Sequence, residues 1–107
     1  MQISTASTPV MQVHITTKAE LGAPFDPTGD TVEMCFLPDG VAPVLSTTWF
    51  PASWQTDTMT SRYYAQCQIG LNTSVGVLSV GTWRPWVRIT DTPELIILPA
   101  RTAFSVV

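Results

Sequence analysis

The chain has 107 residues and a mass of 11.7 kDa, which suits one domain with a core of its own. Charged residues make up only 12%, about half the usual share for a soluble domain, and the net charge of −3 excludes a basic nucleic-acid-binding face as the main function. One histidine and two cysteines provide too few bases and ligands for most catalytic and metal-site templates. We therefore expect no enzymatic activity and no cofactor.

The first nine residues are polar and small and end at Pro9, which predicts an N-terminal arm (1–9) ahead of a single domain (10–107). Either the chain's own domain or a neighbouring subunit would hold this arm. The start has no basic region and no apolar stretch, and no run is apolar for long enough to cross a membrane, so neither a secretion signal nor a membrane segment is expected. In such a chain Cys35 and Cys67 are expected to be free and buried.

Strand-like runs separated by turn residues follow the arm. Runs rich in β-branched and aromatic residues predict strands at 10–16, 31–37, 45–50, 62–69, 82–90, 95–98 and 102–107, with a short edge piece at 54–55. Proline, glycine and aspartate predict a loop at 22–29 and turns at 38–40, 70–76 and 91–94. No stretch keeps a helical period. The fold class is therefore predicted as all-β: an immunoglobulin-like β-sandwich of about seven strands with an extended N-terminal arm.

Residues suited to chemistry are sparse. His14 would have to serve any Ser-His-Asp triad, but its position between Val13 and Ile15 predicts an ordinary histidine on a strand face. Asp26, Asp30 and Asp39 lie in turn segments, and the stretch 26–30 has too few oxygen ligands for calcium, so all three are interpreted as turn-forming residues.

The aromatic residues are more informative. On an extended strand Arg84, Trp86 and Arg88 share one face, while the alternate residues 83, 87 and 89 face the core. Together with Trp49 and Trp54 they form the candidate interface. Two interpretations stay open: an intramolecular stack of guanidinium groups on the indole, or a surface that anchors a partner protein.

Two further features favour contact with other chains. Pro85 lacks an N–H for a β-ladder, which predicts that its strand is an edge strand or carries a bulge there, and an edge strand invites pairing with another chain. Residues 1–17, 40–56 and 63–83 carry no charge, which is typical of a surface that neighbouring subunits cover.

The segment at 83–94, WRPWVRITDTPE, resembles a family of small virion-associated proteins of tailed phages that infect actinobacteria. Trp49, Trp54 and the segment YYAQCQIG at 63–70 resemble it as well, so that the resemblance covers residues 32–107. The chain departs from the family pattern at Pro85 and in the apolar run 95–100, LIILPA, which suggests extra burial in an interface. The resemblance implies no catalytic residue. A corner brace between Arg88 and the acidic residue at 91 or 94 is a structural expectation only.

The resemblance implies a non-enzymatic bacteriophage virion structural protein: a capsid decoration or cement protein, or a minor capsid protein. Its location would be the virion, after synthesis in the host bacterial cytoplasm. The expected partners are other virion proteins, namely major capsid or connector subunits, and further copies of itself, with neither nucleic acid nor membrane. The alternative is a head–tail connector or tail ring subunit. A third hypothesis is a glycan-binding immunoglobulin-like module that uses Trp49 and Trp54 as a stacking platform, and the remotest is a hydrolase with His14 as its base.

Overall fold

A computed structural model of the chain describes residues 2–4, 6–15, 29–59, 62–91 and 94–107. The described residues contain nine β-strands and no helix, which confirms the all-β prediction. In chain order the strands are β1 (Gln2–Ile3), β2 (Val10–Ile15), β3 (Thr31–Pro38), β4 (Phe50–Pro51), β5 (Ser53–Asp57), β6 (Arg62–Gln68), β7 (Gly81–Asp91), β8 (Glu94–Pro99) and β9 (Phe104–Val106). The loop predicted at 22–29 lies outside the described residues, apart from its last position.

The strands form two sheets that pack as a sandwich. The larger sheet has six strands in the order β1-β9-β7-β3-β4, with β8 pairing on β7, and the smaller sheet has the order β2-β6-β5. Every neighbouring pair is antiparallel except β1 and β9, which run parallel. This mixture of local hairpins and long-range pairs is typical of β-sandwiches.

The core lies between the two sheets and consists of the inward-facing alternate residues of each strand. Each inward side chain that is removed from water contributes about 1.5–3 kcal/mol of transfer free energy. The predicted core face of β7 is confirmed, and Cys35 and Cys67 are free and buried as predicted. The most deeply buried positions of this core are Met34, Ala65, Ile69, Val87 and Ile89.

β7 is a central strand, so of the two alternatives predicted from Pro85 the edge strand is wrong, while the ladder is indeed irregular at Pro85, with the extra residues in the opposing segment. It pairs with β3 on one side and with both β8 and β9 on the other. The carbonyl of Pro85 accepts the N–H of Ala100 at 2.8 Å, so the ring nitrogen of Pro85 also faces the β8–β9 side. On that side residues 84–85 oppose the four residues 100–103, where the ladder is interrupted between β8 and β9. Pro85 therefore removes no bond from the β3–β7 ladder.

The N-terminal arm docks on its own domain. β1 extends the larger sheet beside β9, and the N–H of Val107 donates to the carbonyl of Ile3 at 2.8 Å. The segment that follows β1 passes close to Gly70, whose φ of +112° suits glycine, and an added Cβ there would collide with the carbonyl oxygen of Ser7. Of the two expectations for the arm, the intramolecular one describes this structure.

The prediction of a strand at 45–50 is wrong except at its last residue. Residues 44–47 form a turn, in which the N–H of Thr47 donates to the carbonyl of Val44 and the N–H of Val44 donates to the Thr47 hydroxyl. Strand structure begins only at Phe50, and after two residues the chain crosses from the larger sheet to the smaller one. β5 then forms an edge of the smaller sheet, as predicted for residues 54–55.

Candidate interaction surface

The outward face of the larger sheet brings three of the five candidate residues into one row. Arg84, Trp86 and Arg88 alternate with buried positions along β7 and are each half-buried. Their partners across the β3–β7 ladder are Leu37, Cys35 and Glu33, in that order. Directly paired residues place their side chains on the same face of a sheet. The row is therefore a mixed surface of two cations, a carboxylate, an indole and apolar groups.

Arg88 is held by two neighbours at once. Its Nε and Nη2 donate to Oε1 and Oε2 of Glu33 at 3.0 and 2.9 Å, which is a bidentate pair. The Trp49 ring, from the segment before β4, lies with its centroid 4.7 Å from the Arg88 guanidinium carbon. The intramolecular stack thus exists, but its indole belongs to Trp49. The side chains at 91 and 94, to which a brace from Arg88 was expected, lie outside the described part of the chain, and the carboxylate that Arg88 binds among the described residues is that of Glu33.

Arg84 is also engaged within the chain. Its Nε donates to Oδ1 of Asp39 at 2.9 Å, and its Nη1 donates to the carbonyl of Ala100 at 2.6 Å. The second bond ties β7 to the interrupted part of the ladder between β8 and β9. Asp39 is the better exposed partner of the ion pair, with 43% of its side-chain surface accessible. Both arginines on this face are therefore neutralised by carboxylates of their own chain.

Trp86 and Cys35 occupy the middle of the row. The Nε1 of Trp86 is shielded from solvent and has no hydrogen-bond acceptor among the described residues. Burial raises the pKa of the Cys35 thiol to about 11, with the positive charge of Arg88 acting in the opposite direction. This thiol is consequently protonated at neutral pH, and we assign it a packing role. A cavity of about 300 Å³ lies beside Arg84 and Trp86.

Trp54 does not belong to this surface. It lies on β5, in the smaller sheet, where it packs against the core, and its Nε1 donates to the carbonyl of Asp30 at 2.9 Å. Trp49, in contrast, stacks on the outward face of the larger sheet. The two rings share no surface, although only four residues separate them, because the chain changes sheets between them. The paired stacking platform of the glycan hypothesis is not formed.

A larger groove than the cavity beside Trp86 lies elsewhere, at the end of the smaller sheet. It encloses about 550 Å³, and no tryptophan lines it. Two of its amides are already engaged: Gln66 accepts the side-chain N–H of Gln12, and Gln68 donates to the carbonyl of Thr8. Its polar lining consists of Ser53, Gln66, Gln68, Asn72, Thr73 and Ser74.

Sequence reasoning did not place the free edge of β8 among the candidate residues. β8 pairs only with β7 among the described strands. Leu95 and Ile97 on its outward face are 55% and 43% exposed. The apolar run at 95–100, which the sequence suggested to be buried in an interface, was the signal that pointed to them, because an apolar edge strand is prone to pair with another chain.

Two observations concern the residues considered for catalysis and for metal binding. His14 lies exposed on β2, as predicted, with its ring centroid 5.2 Å from that of Tyr64. No group of three or more histidine, cysteine or acidic residues converges within the described ranges. No helix in the described part of the chain is long and apolar enough to span a membrane.

The chain matches no protein-family model, no curated protein and no solved structure.

Proposed function

We propose that this chain is a non-enzymatic structural protein of a tailed-bacteriophage particle, which decorates or cements the capsid. The observation that carries the proposal is the position of the segment at 83–94. Its described residues form β7 and the first residue of β8, and they include Trp86 and Arg88 of the outward face. The residues that resemble the virion family thus coincide with the surface best suited to contact other subunits.

The composition of this surface supports a protein partner. Tryptophan and arginine are the residues most enriched among the energetic anchors of protein interfaces. The pairing of Arg84 with Asp39 and of Arg88 with Glu33 leaves the face without excess positive charge, so it does not favour phosphate groups. The indole N–H of Trp86 has no acceptor in the described part of the chain, and a partner's carbonyl could supply one if neighbouring side chains move.

The strand order supports an immunoglobulin-like form of the sandwich. The sheets β2-β6-β5 and β9-β7-β3 correspond to the B-E-D and G-F-C orders of that fold. One feature departs from it: the two cysteines are unpaired. Such a sandwich would present a rigid face to the particle.

The test is quantitative mass spectrometry of purified particles together with an image reconstruction. We expect the chain at a fixed ratio to the major capsid protein, with density on the capsid surface. A copy number that matches a single ring would instead favour the head–tail connector or tail subunit. Particles that lack the chain altogether would refute both.

A variant test addresses the surface itself. Trp86→Ala should lower incorporation into particles, while Gln12→Ala, on the outward face of the opposite sheet, should leave it unchanged. Circular dichroism melting of both variants checks that they are folded. Equal incorporation of the two folded variants would contradict the assignment of this face.

A further inference from the structure

The free edge of β8 has a defined set of main-chain donors and acceptors. In an antiparallel ladder the N–H and C=O of one residue point to the same side, and this side alternates along the strand. The bond from the N–H of Ala100 to Pro85 continues the β7–β8 register, so the main-chain groups of Ile96 and Leu98 face β7. Those of Leu95 and Ile97 therefore face the open edge.

The side chains at the same two positions are apolar and exposed. Leu95 and Ile97 lie opposite Thr90 and Arg88, on the outward face of the sheet, and are 55% and 43% exposed. No residue from 95 to 100 carries a charge. Natural edge strands are usually protected by a lysine, a proline, an inward charge or a bulge. After Glu94, β8 contains only one of these, Pro99, at its last position and beyond Leu95 and Ile97.

We propose that β8 pairs with β8 of a second copy of this chain, antiparallel and around a two-fold axis. In the register centred on Ile96, Leu95 of each copy exchanges N–H···O=C bonds with Ile97 of the other. Their exposed side chains then form one apolar stripe across the joint. Two copies of this edge can pair with each other, because Leu95 and Ile97 of each copy offer both an N–H donor and a C=O acceptor.

Charge complementarity favours a second copy in this orientation. Antiparallel pairing brings the start of one β8 alongside the end of the other. The acidic residues of the sequence at this hairpin, Asp91 and Glu94, belong to the first end, and Arg101 follows the second. A two-fold axis creates this opposition twice and closes the assembly as a dimer. A parallel arrangement would place like charges together and would not close.

The first test is the association of the wild-type chain, followed by sedimentation velocity from about 10 μM to about 1 mM, the range that brackets a small interface. We expect a monomer–dimer equilibrium. Hydrogen exchange measured by NMR over the same range locates the contact: the amides of Leu95 and Ile97 should become protected as the dimer forms, whereas those of Ile96 and Leu98 are protected throughout. A chain that stays monomeric, or a dimer that leaves the first two amides unprotected, overturns the proposal.

The second test uses a matched pair of charge insertions. Ile97→Lys places a charge on the proposed joint and should weaken the dimer at least tenfold, whereas Val80→Lys, at an exposed apolar position before β7, should not. Equal weakening by both variants, or by neither, refutes the proposal. The wild-type exchange data remain decisive if Ile97→Lys does not fold. The proposal is independent of the virion function, since both measurements use the isolated chain.

Discussion

Replacing Arg88 with methionine tests whether the outward face is held together internally. The substitution keeps an apolar stem but removes the bidentate pair with Glu33, in which the two side chains are 27% and 25% exposed, and the stack on Trp49. A hydrogen bond to a charged group contributes about 1.5–3 kcal/mol, and an accessible cation–π contact about 0.5–1 kcal/mol. Because methionine recovers part of the packing, we expect the free energy of unfolding to fall by about 2 kcal/mol.

Urea unfolding, followed by circular dichroism and tryptophan fluorescence, measures this loss. Arg101→Met is the control, because Arg101 is exposed, and it should change the free energy by less than about 0.5 kcal/mol. A double-mutant cycle with Glu33→Gln should give a coupling energy of about 1–2 kcal/mol. A change for Arg88→Met as small as the control's would refute the internal role, and the guanidinium would then be free to anchor a partner.

Three further predictions concern packing, backbone and pH. Ile89→Ala should lower the free energy of unfolding by about 3 kcal/mol because the side chain is fully buried, whereas Thr90→Ala should lower it by less than about 1 kcal/mol. Equal losses of this free energy in urea unfolding would contradict the assigned faces of β7. Gly70→Ala should lower the melting temperature more than Gly40→Ala does. Both glycines have a positive φ, but only an added Cβ at position 70 would meet backbone atoms of the N-terminal arm. The reverse order would be inconsistent with a docked arm. Cys35 should resist alkylation in the folded chain at neutral pH. Because its pKa rises from 9.0 unfolded to about 11 folded, its contribution to stability is complete below pH 9 and is lost as the pH rises toward 11, which pH-dependent unfolding of wild type and Cys35→Ala can measure.

The arrangement of the candidate surface was predictable only in part. Strand alternation placed Arg84, Trp86 and Arg88 on one face, and the structure agrees. Alternation could not show that Trp49 would join them while Trp54 turned into the core. The reason is that the chain crosses from the larger sheet to the smaller one after Phe50–Pro51, so that residues before and after the crossing pack against different sheets. The crossing itself depends on pairing with strands that are far away in sequence.

The sequence by itself determined the local properties of this protein: its all-β class, the core face of β7, the turn at 38–40 and the free, buried cysteines. These follow from side-chain chemistry and from the two-residue period of a strand. The tertiary structure decided which strands are neighbours. It placed β7 at the centre of the larger sheet despite Pro85, and it left the apolar edge of β8 unpaired among the described strands. Strand neighbours are set by packing between segments far apart in the chain, which no local pattern encodes.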